Sequence, residues 1–435
     1  MIVAKQDVVI IGAGIASLSA AYHLQNTDYL IFEKNDRVGG LCRSEMVDGF
    51  TFDRAIHTIY SRDEYALKLI EEVLLKDNLN SQIREAWIYS KGTYTEYPFQ
   101  AHTYGLPVEV IKECIVGLIE AKYENEYSGE PENFSEWLHR TFGEGIVKHF
   151  MIPYNRKQWA IDPGLMDYNW TAKRIPIPKI EEVLDGALRK PQKKFGHNNE
   201  FWYPIKGGIE ALSRGFLPYV KNIELNSKMT KIFVDKKEVQ INYKDTISYD
   251  YCISTLPLPV VVKLLDNAPQ KLKKVAAELE YNTIYAVILG IDRENISDFH
   301  WVYYPEDDYI FHRISFPMNF AESNAPKGKS SITAEISSSR YKKVNYNTLI
   351  DDTIRALKKA EVLQDDDEIL VKDILTLSPA YVIYTFNHHE NVAQIHEFLE
   401  QNDIYSCGRF GEWEYLNMDD AILSGKKVVE KLLRN

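Results

Sequence analysis

The stretch Val8-Val9-Ile10-Ile11-Gly12-Ala13-Gly14 constrains this chain more than any other. Apolar β-formers run into a glycine turn, an apolar helical stretch follows from Ile15 to Leu24, and Tyr29-Leu30-Ile31-Phe32 ends at Glu33. Strand, turn, helix and second strand succeed one another within roughly the thirty residues that a βαβ unit needs. Gly12 and Gly14 let backbone N–H groups approach a pyrophosphate at the positive end of the helix. Glu33 follows about twenty residues on, the distance from which an acid accepts from ribose hydroxyls. Ser17 takes the third glycine's place, which serves close helix-to-strand packing, and serine is the next smallest polar choice. This order implies a dinucleotide-binding domain, with Gly12, Gly14, Ser17, Glu33 and the adjacent Lys34 as cofactor residues.

At 435 residues the chain is too long for one core and suggests two or three domains, while 45% hydrophobic and 26% charged residues are ordinary for a soluble protein. A formal charge of −12 argues against non-specific nucleic-acid binding, so an anionic substrate must be held by a few local arginines. Cysteines 42, 114, 252 and 407 show neither C-x-x-C spacing nor a disulfide rhythm, so no structural zinc or other metal site is expected. The expected compartment is the reducing cytoplasm. The first residues lack the apolar core of a signal peptide, and no later run approaches the roughly eighteen apolar residues of a membrane span.

Further along, residues 62 to 82 read as a helix and 86 to 97 as paired strands around Lys91-Gly92. Helical periodicity fills 106 to 190, with prolines ending each piece. Alternation returns from 222 to 251 and ends in Cys252-Ile253-Ser254-Thr255-Leu256-Pro257. More strands are expected over 281–337, a helix over 346–360, a strand over 404–408 and a terminal helix over 419–433. The expected fold is α/β: a discontinuous Rossmann-like dinucleotide-binding domain (1–100, 196–260 and 396–435), an inserted helical domain (101–195) and an antiparallel β-sheet substrate domain (261–395).

Several segments line up with one family. Gly39-Gly40-Leu41-Cys42-Arg43 resembles the segment that FAD-dependent oxidase-like enzymes run along their flavin, which favours FAD. Tyr97-Pro98-Phe99-Gln100, Pro153-Tyr154-Asn155-Arg156-Lys157-Gln158-Trp159-Ala160, Arg174-Ile175-Pro176, Tyr203-Pro204-x-x-Gly207-Gly208 and Gly408-Arg409-Phe410-Gly411 through Tyr415 resemble the flavin-dependent UDP-galactopyranose mutases, nearer their eukaryotic branch. Tyr415-Leu416-Asn417-Met418-Asp419 is closer to the bacterial form, with Asn417 where an aspartate is usual. The resemblance implies contraction of a nucleotide-diphosphate pyranose to its furanose with no net redox change, reduced flavin N5 attacking the anomeric carbon. It also implies a place in cell-surface glycan biosynthesis and a reductant such as NAD(P)H. The chain shows no Ser/His/Asp, Cys/His or paired-carboxylate spacing for a protein nucleophile, in agreement with a flavin one.

Arg174 and Arg313 fall where the family grips the diphosphate, a task that suits the planar guanidinium fork. Arg313 lies in the apolar run 309–314, where an unpaired guanidinium would be costly, so it must meet a ligand anion or a buried carboxylate. By resemblance, Tyr97 and Gln100 hold the nucleotide base, Asn155, Trp159 and Asn198 line the rest of the nucleotide and sugar pocket, and the phenols of Tyr303, Tyr384 and Tyr415 donate to phosphate. The same resemblance puts Gly40, Leu41, His57, Met229, Thr255, Gly408 and Arg409 on the cofactor, and Asn417, Met418 and Asp419 at a positive helix end beside reduced flavin. A flavin oxidase of the amine-oxidase or protoporphyrinogen-oxidase type shares the glycine turn and terminal helix but needs no paired arginines. A non-catalytic nucleotide-sugar or FAD-binding regulator would lose the arginines or the flavin-facing turn. The sequence leaves the sugar, the base and the oligomeric state open.

Overall fold

In the computed structural model, which describes residues 4–25, 27–124, 127–190 and 199–434, the first apolar run forms strand β1 (Ala4–Ile11). Val8, Val9 and Ile10 are wholly buried, the pattern of a parallel strand covered on both faces. Helix α1 (Ile15–His23) and strand β2 (Tyr29–Phe32) complete the βαβ unit, with β1 parallel to β2. The other neighbour of β1 is Asp245–Ser254, also parallel, and Ile404–Ser406 adds a parallel strand beyond it. Ile223–Glu224 pairs with β2, while Met229–Phe233 and Glu238–Ile241 extend the opposite edge as an antiparallel ribbon. One sheet thus draws strands from three distant stretches of chain.

A second seven-stranded sheet runs Ile369–Leu377, Thr283–Ile291, Ser330–Ser338, Arg313–Ser315, Trp301–Tyr303, Ala86–Ser90, Thr93–Glu96. It is antiparallel except where Trp301–Tyr303 meets Ala86–Ser90. The hairpin expected around Lys91-Gly92 therefore pairs into this sheet, although it belongs to the stretch 1–100 read as nucleotide-binding. Helices Val108–Ile119, Phe134–Ile146, Ile152–Trp159 and Ile180–Leu188 form the helical layer beside it. The terminal helix, Met418–Leu432, packs along α1.

Three local expectations change. The helix expected over 62–82 is Glu64–Lys68 continued in wider π geometry to Leu75, after which Lys76 turns to positive φ and Asn80–Ile83 pairs with Glu200–Tyr203. Of the apolar run 309–314, only its end joins a strand, Arg313–Ser315. The strand Ile369–Leu377 was not anticipated, because exposed Lys372 and Asp373 interrupt its apolar pattern.

Candidate active site

The glycine turn is built as a cradle for a ligand's backbone-hugging groups. Gly12 has φ +98, and a Cβ there would lie 2.3 Å from Thr255 Oγ1, a hydroxyl that itself donates to the Ile11 carbonyl at 2.8 Å. Gly14 bridges to Gly39, and a Cβ on Gly40 would come within 3.2 Å of the Gly14 Cα, so two bare backbones face each other where α1 begins. Ser17 is buried and returns its hydroxyl to the Gly14 carbonyl at 2.9 Å, filling the third-glycine position from inside the helix. The Glu33 carboxylate accepts from the Ala13 N–H at 2.8 Å and the Asn35 N–H at 2.9 Å, which fixes an acid at the turn. Lys34 is exposed, Leu41 is half-buried, and Met229 is buried at the start of the ribbon. These open backbones, the fixed acid and the helix end fit a dinucleotide.

The C-terminal segment joins this turn. The Gly408 N–H donates to Ser424 Oγ at 2.7 Å, and Asn417 caps the terminal helix, its own N–H donating to Asp420 at 3.0 Å. Met418 is buried as the first helical residue, and burial raises the Asp419 carboxyl. His57 is half-buried, with Nδ1 3.2 Å from the Ala55 carbonyl. Removal from water, with the positive charge of Arg409 beside it, holds it down at about 4, so it is neutral at pH 7.

Next to His57 lies a cluster of aromatic side chains flanked by arginines, the candidate substrate pocket. Tyr381 and Tyr415 stack at 5.2 Å, and the Arg174 guanidinium sits 4.1 Å over the Tyr415 ring while donating to the Tyr415 carbonyl. Arg409 stands 5.0 Å from the same ring and 5.7 Å from Tyr381, anchored to the Leu416 carbonyl through Nε at 2.9 Å and Nη2 at 2.6 Å. Arg313 approaches from the second sheet. Its charge reaches the phenols of Tyr97, Tyr154 and Tyr381 and also His57, which ties the pocket to the cofactor turn. Burial raises those three phenols, so they remain protonated donors at neutral pH. Tyr303 completes the wall, its ring 5.0 Å from Tyr97 and 5.3 Å from Tyr154.

Arg313 meets a buried carboxylate, as its apolar setting requires. Its Nη2 lies 2.7 Å from Glu335 Oε2, and Glu335 is wholly buried. Burial alone would raise Glu335, but Arg313 and His312 override it and hold the carboxyl at about 2. The Ile56 N–H donates to the other oxygen at 3.0 Å. Arg313 Nε is buried without a partner, so the ion pair leaves guanidinium capacity over.

The profile of the family described as flavin containing amine oxidoreductase matches residues 15–433. The chain belongs to that family. Among solved structures it resembles a reduced UDP-galactopyranose mutase with a TM-score of 0.93 and 29% identity, covering 99% of this chain and 96% of that one. It also resembles a putrescine oxidase bound to putrescine, with a TM-score of 0.67 and 15% identity over 99% of both chains. By sequence it is 20% identical to the coproporphyrinogen III oxidase of Bacillus subtilis (strain 168), over 99% of this chain and 98% of that protein. The chain is therefore an α/β flavoenzyme with the fold shared by these proteins. None of the described helices is long and apolar enough to cross a membrane.

Within this flavoenzyme the remaining expected residues are engaged in different ways. The buried Gln100 amide donates to the Pro176 carbonyl at 2.8 Å, which ties it to the segment after Arg174. Asn155 donates to the Met151 carbonyl at 2.8 Å and accepts from Trp159 Nε1 at 3.1 Å, so its amide works inside the helix. Trp159 packs edge-on to Trp170 at 4.9 Å and Tyr381 at 5.6 Å. Tyr384 donates to Glu414 at 2.8 Å and accepts from the Tyr415 N–H at 2.7 Å, which holds the turn that carries Tyr415. Asn198 lies outside the described residues. Sequence reasoning missed Glu335, although an acid in Thr333-Ala334-Glu335-Ile336 is the same signal that singled out Arg313. It also missed Asp53, a buried carboxyl held by Ser44 Oγ and the Tyr203 hydroxyl, both at 2.6 Å, and raised to about 6 by burial.

Proposed function

We propose that this protein is an FAD-dependent nucleotide-sugar mutase, contracting a nucleotide-diphosphate pyranose to the furanose without net redox change, with UDP-galactopyranose to UDP-galactofuranose as the first candidate. The observation that carries this reading is the set of guanidinium groups of Arg174, Arg409 and Arg313 around Tyr381, Tyr415 and His57. An anionic diphosphate has use for such a rim, and an uncharged or amine substrate does not. The 29% identity to a mutase over nearly the whole chain supports the same choice.

Reduced FAD, cradled at Gly12, Gly14 and Gly40, would supply the nucleophile for the anomeric carbon. The chain's own part is charge and position. Arg174 and Arg313 would take up the charge that develops on the departing diphosphate, and protonated phenols of the pocket would donate to its oxygens without adding charge. Neutral His57 keeps a further positive charge from the cofactor side. Asn417, Met418 and Asp419 would bring the positive end of the terminal helix toward the reduced ring system. NAD(P)H is the reductant this reading expects, in a cytoplasmic enzyme.

A second reading, an oxidase, is favoured by the family and by relatives such as the coproporphyrinogen III oxidase. The two separate on one experiment: dithionite-reduced protein is given UDP-galactopyranose, and Arg174→Ala and Arg313→Ala variants with flavin retained are run beside it. The mutase reading predicts furanose from the parent and its loss in both variants. Undiminished turnover in the variants would remove the arginines from the mechanism.

A further inference from the structure

Beyond the arginine pocket, helix His388–Glu400 opens with two adjacent histidines, and Glu414 of the turn before Tyr415 faces them. One ligand atom from each of His388, His389 and Glu414 lies within 4.8 Å of the other two. His388 is the telling member. It is 1% exposed, and neither ring nitrogen has a hydrogen-bond partner of good geometry, although the Trp413 backbone lies close enough to favour its protonation slightly. Buried polar groups in folded proteins are nearly always satisfied, so a buried ring with no more than a loose contact to the Trp413 backbone points to a ligand.

The other two members are suitably placed. The Tyr384 hydroxyl donates to Glu414 Oε2 at 2.8 Å and fixes the carboxylate from outside the cluster. His389 is exposed, its ring 5.2 Å from that of His388. Two imidazoles and one carboxylate are the ligand set of a borderline divalent ion such as zinc, whereas magnesium or calcium would ask for oxygen alone. Donors on a tetrahedral zinc stand about 3.3 Å apart, so ligand atoms that all lie within 4.8 Å of one another have at most about 1.5 Å to close. The positive end of the helix opposes a cation, and the Glu414 charge offsets it.

We propose that His388, His389 and Glu414 bind a divalent cation of the zinc class, with water in the fourth position. Through Tyr384, whose hydroxyl also accepts from the Tyr415 N–H at 2.7 Å, a bound ion would stiffen the turn that carries Tyr415. Ion binding can be measured without reference to the reaction assigned to the pocket.

Untagged, flavin-loaded protein treated with chelator is titrated with zinc chloride by calorimetry and with cobalt by visible absorption. The expected result is one ion per chain with a micromolar or tighter dissociation constant, and the intense bands of tetrahedral cobalt. His389→Ala, at an exposed position that leaves folding intact, and Glu414→Gln should each weaken binding by about 100-fold. Absence of binding at millimolar zinc overturns the proposal. So does an affinity that either variant leaves unchanged, because the ion would then sit elsewhere.

Discussion

Replacing Glu335 by glutamine probes the ion pair on which the arginine rim rests. Glutamine keeps the shape and can still accept from the Ile56 N–H, but it leaves the Arg313 guanidinium enclosed with no counter-charge. The carboxyl is held at about 2 against an ordinary 4.5. At 1.36 kcal/mol per pKa unit that difference corresponds to about 3 kcal/mol, in the range of 3–5 kcal/mol found when one partner of a buried pair is removed. The sign follows from the depressed value: the contribution is complete above about pH 4.5 and is lost as pH falls toward 2. Thermal and urea unfolding of the parent, Glu335→Gln, Arg313→Met and the double variant, at pH 7 and across the acid range, measures it. Each single variant should be much less stable than the parent, and the double variant should regain part of the loss. A Glu335→Gln protein that unfolds like the parent, or effects that simply add, would refute the argument.

Two further outcomes follow from buried groups. Gly12→Ala forces a Cβ to 2.3 Å from Thr255 Oγ1 at φ +98, so the protein should purify with much less flavin, read from its visible spectrum. Asp53, raised from 3.8 to about 6, contributes stability that is complete below about pH 4 and lost as pH rises through 6. Asp53→Asn should flatten that part of the stability profile, and a slope unchanged in the variant would exonerate Asp53.

Local signals made the α/β fold legible. The glycine turn, the hairpin at Lys91-Gly92 and the amphipathic terminal helix each carry their instruction within a few neighbouring residues. Long-range pairing was not legible in the same way. Asn80–Ile83 is a strand only because Glu200–Tyr203 lies beside it, and nothing within 62–82 announces that partner. The candidate site divides along the same line. Desolvation cost singled out Arg313, but whether its anion would be a ligand or Glu335 depended on how two strands pair. Asn155 and Gln100 have amides that suit a pocket, and tertiary packing turned them to the Met151 and Pro176 carbonyls. Glu414 is distant in sequence from the adjacent His388 and His389 and meets them only through the fold.

The most direct measurement gives the same flavin-loaded preparation two substrates, UDP-galactopyranose under dithionite without oxygen and a porphyrinogen in air. The account predicts UDP-galactofuranose in the first, none from oxidised enzyme, and no peroxide in the second. Peroxide with oxidised porphyrin, and no furanose, would contradict it.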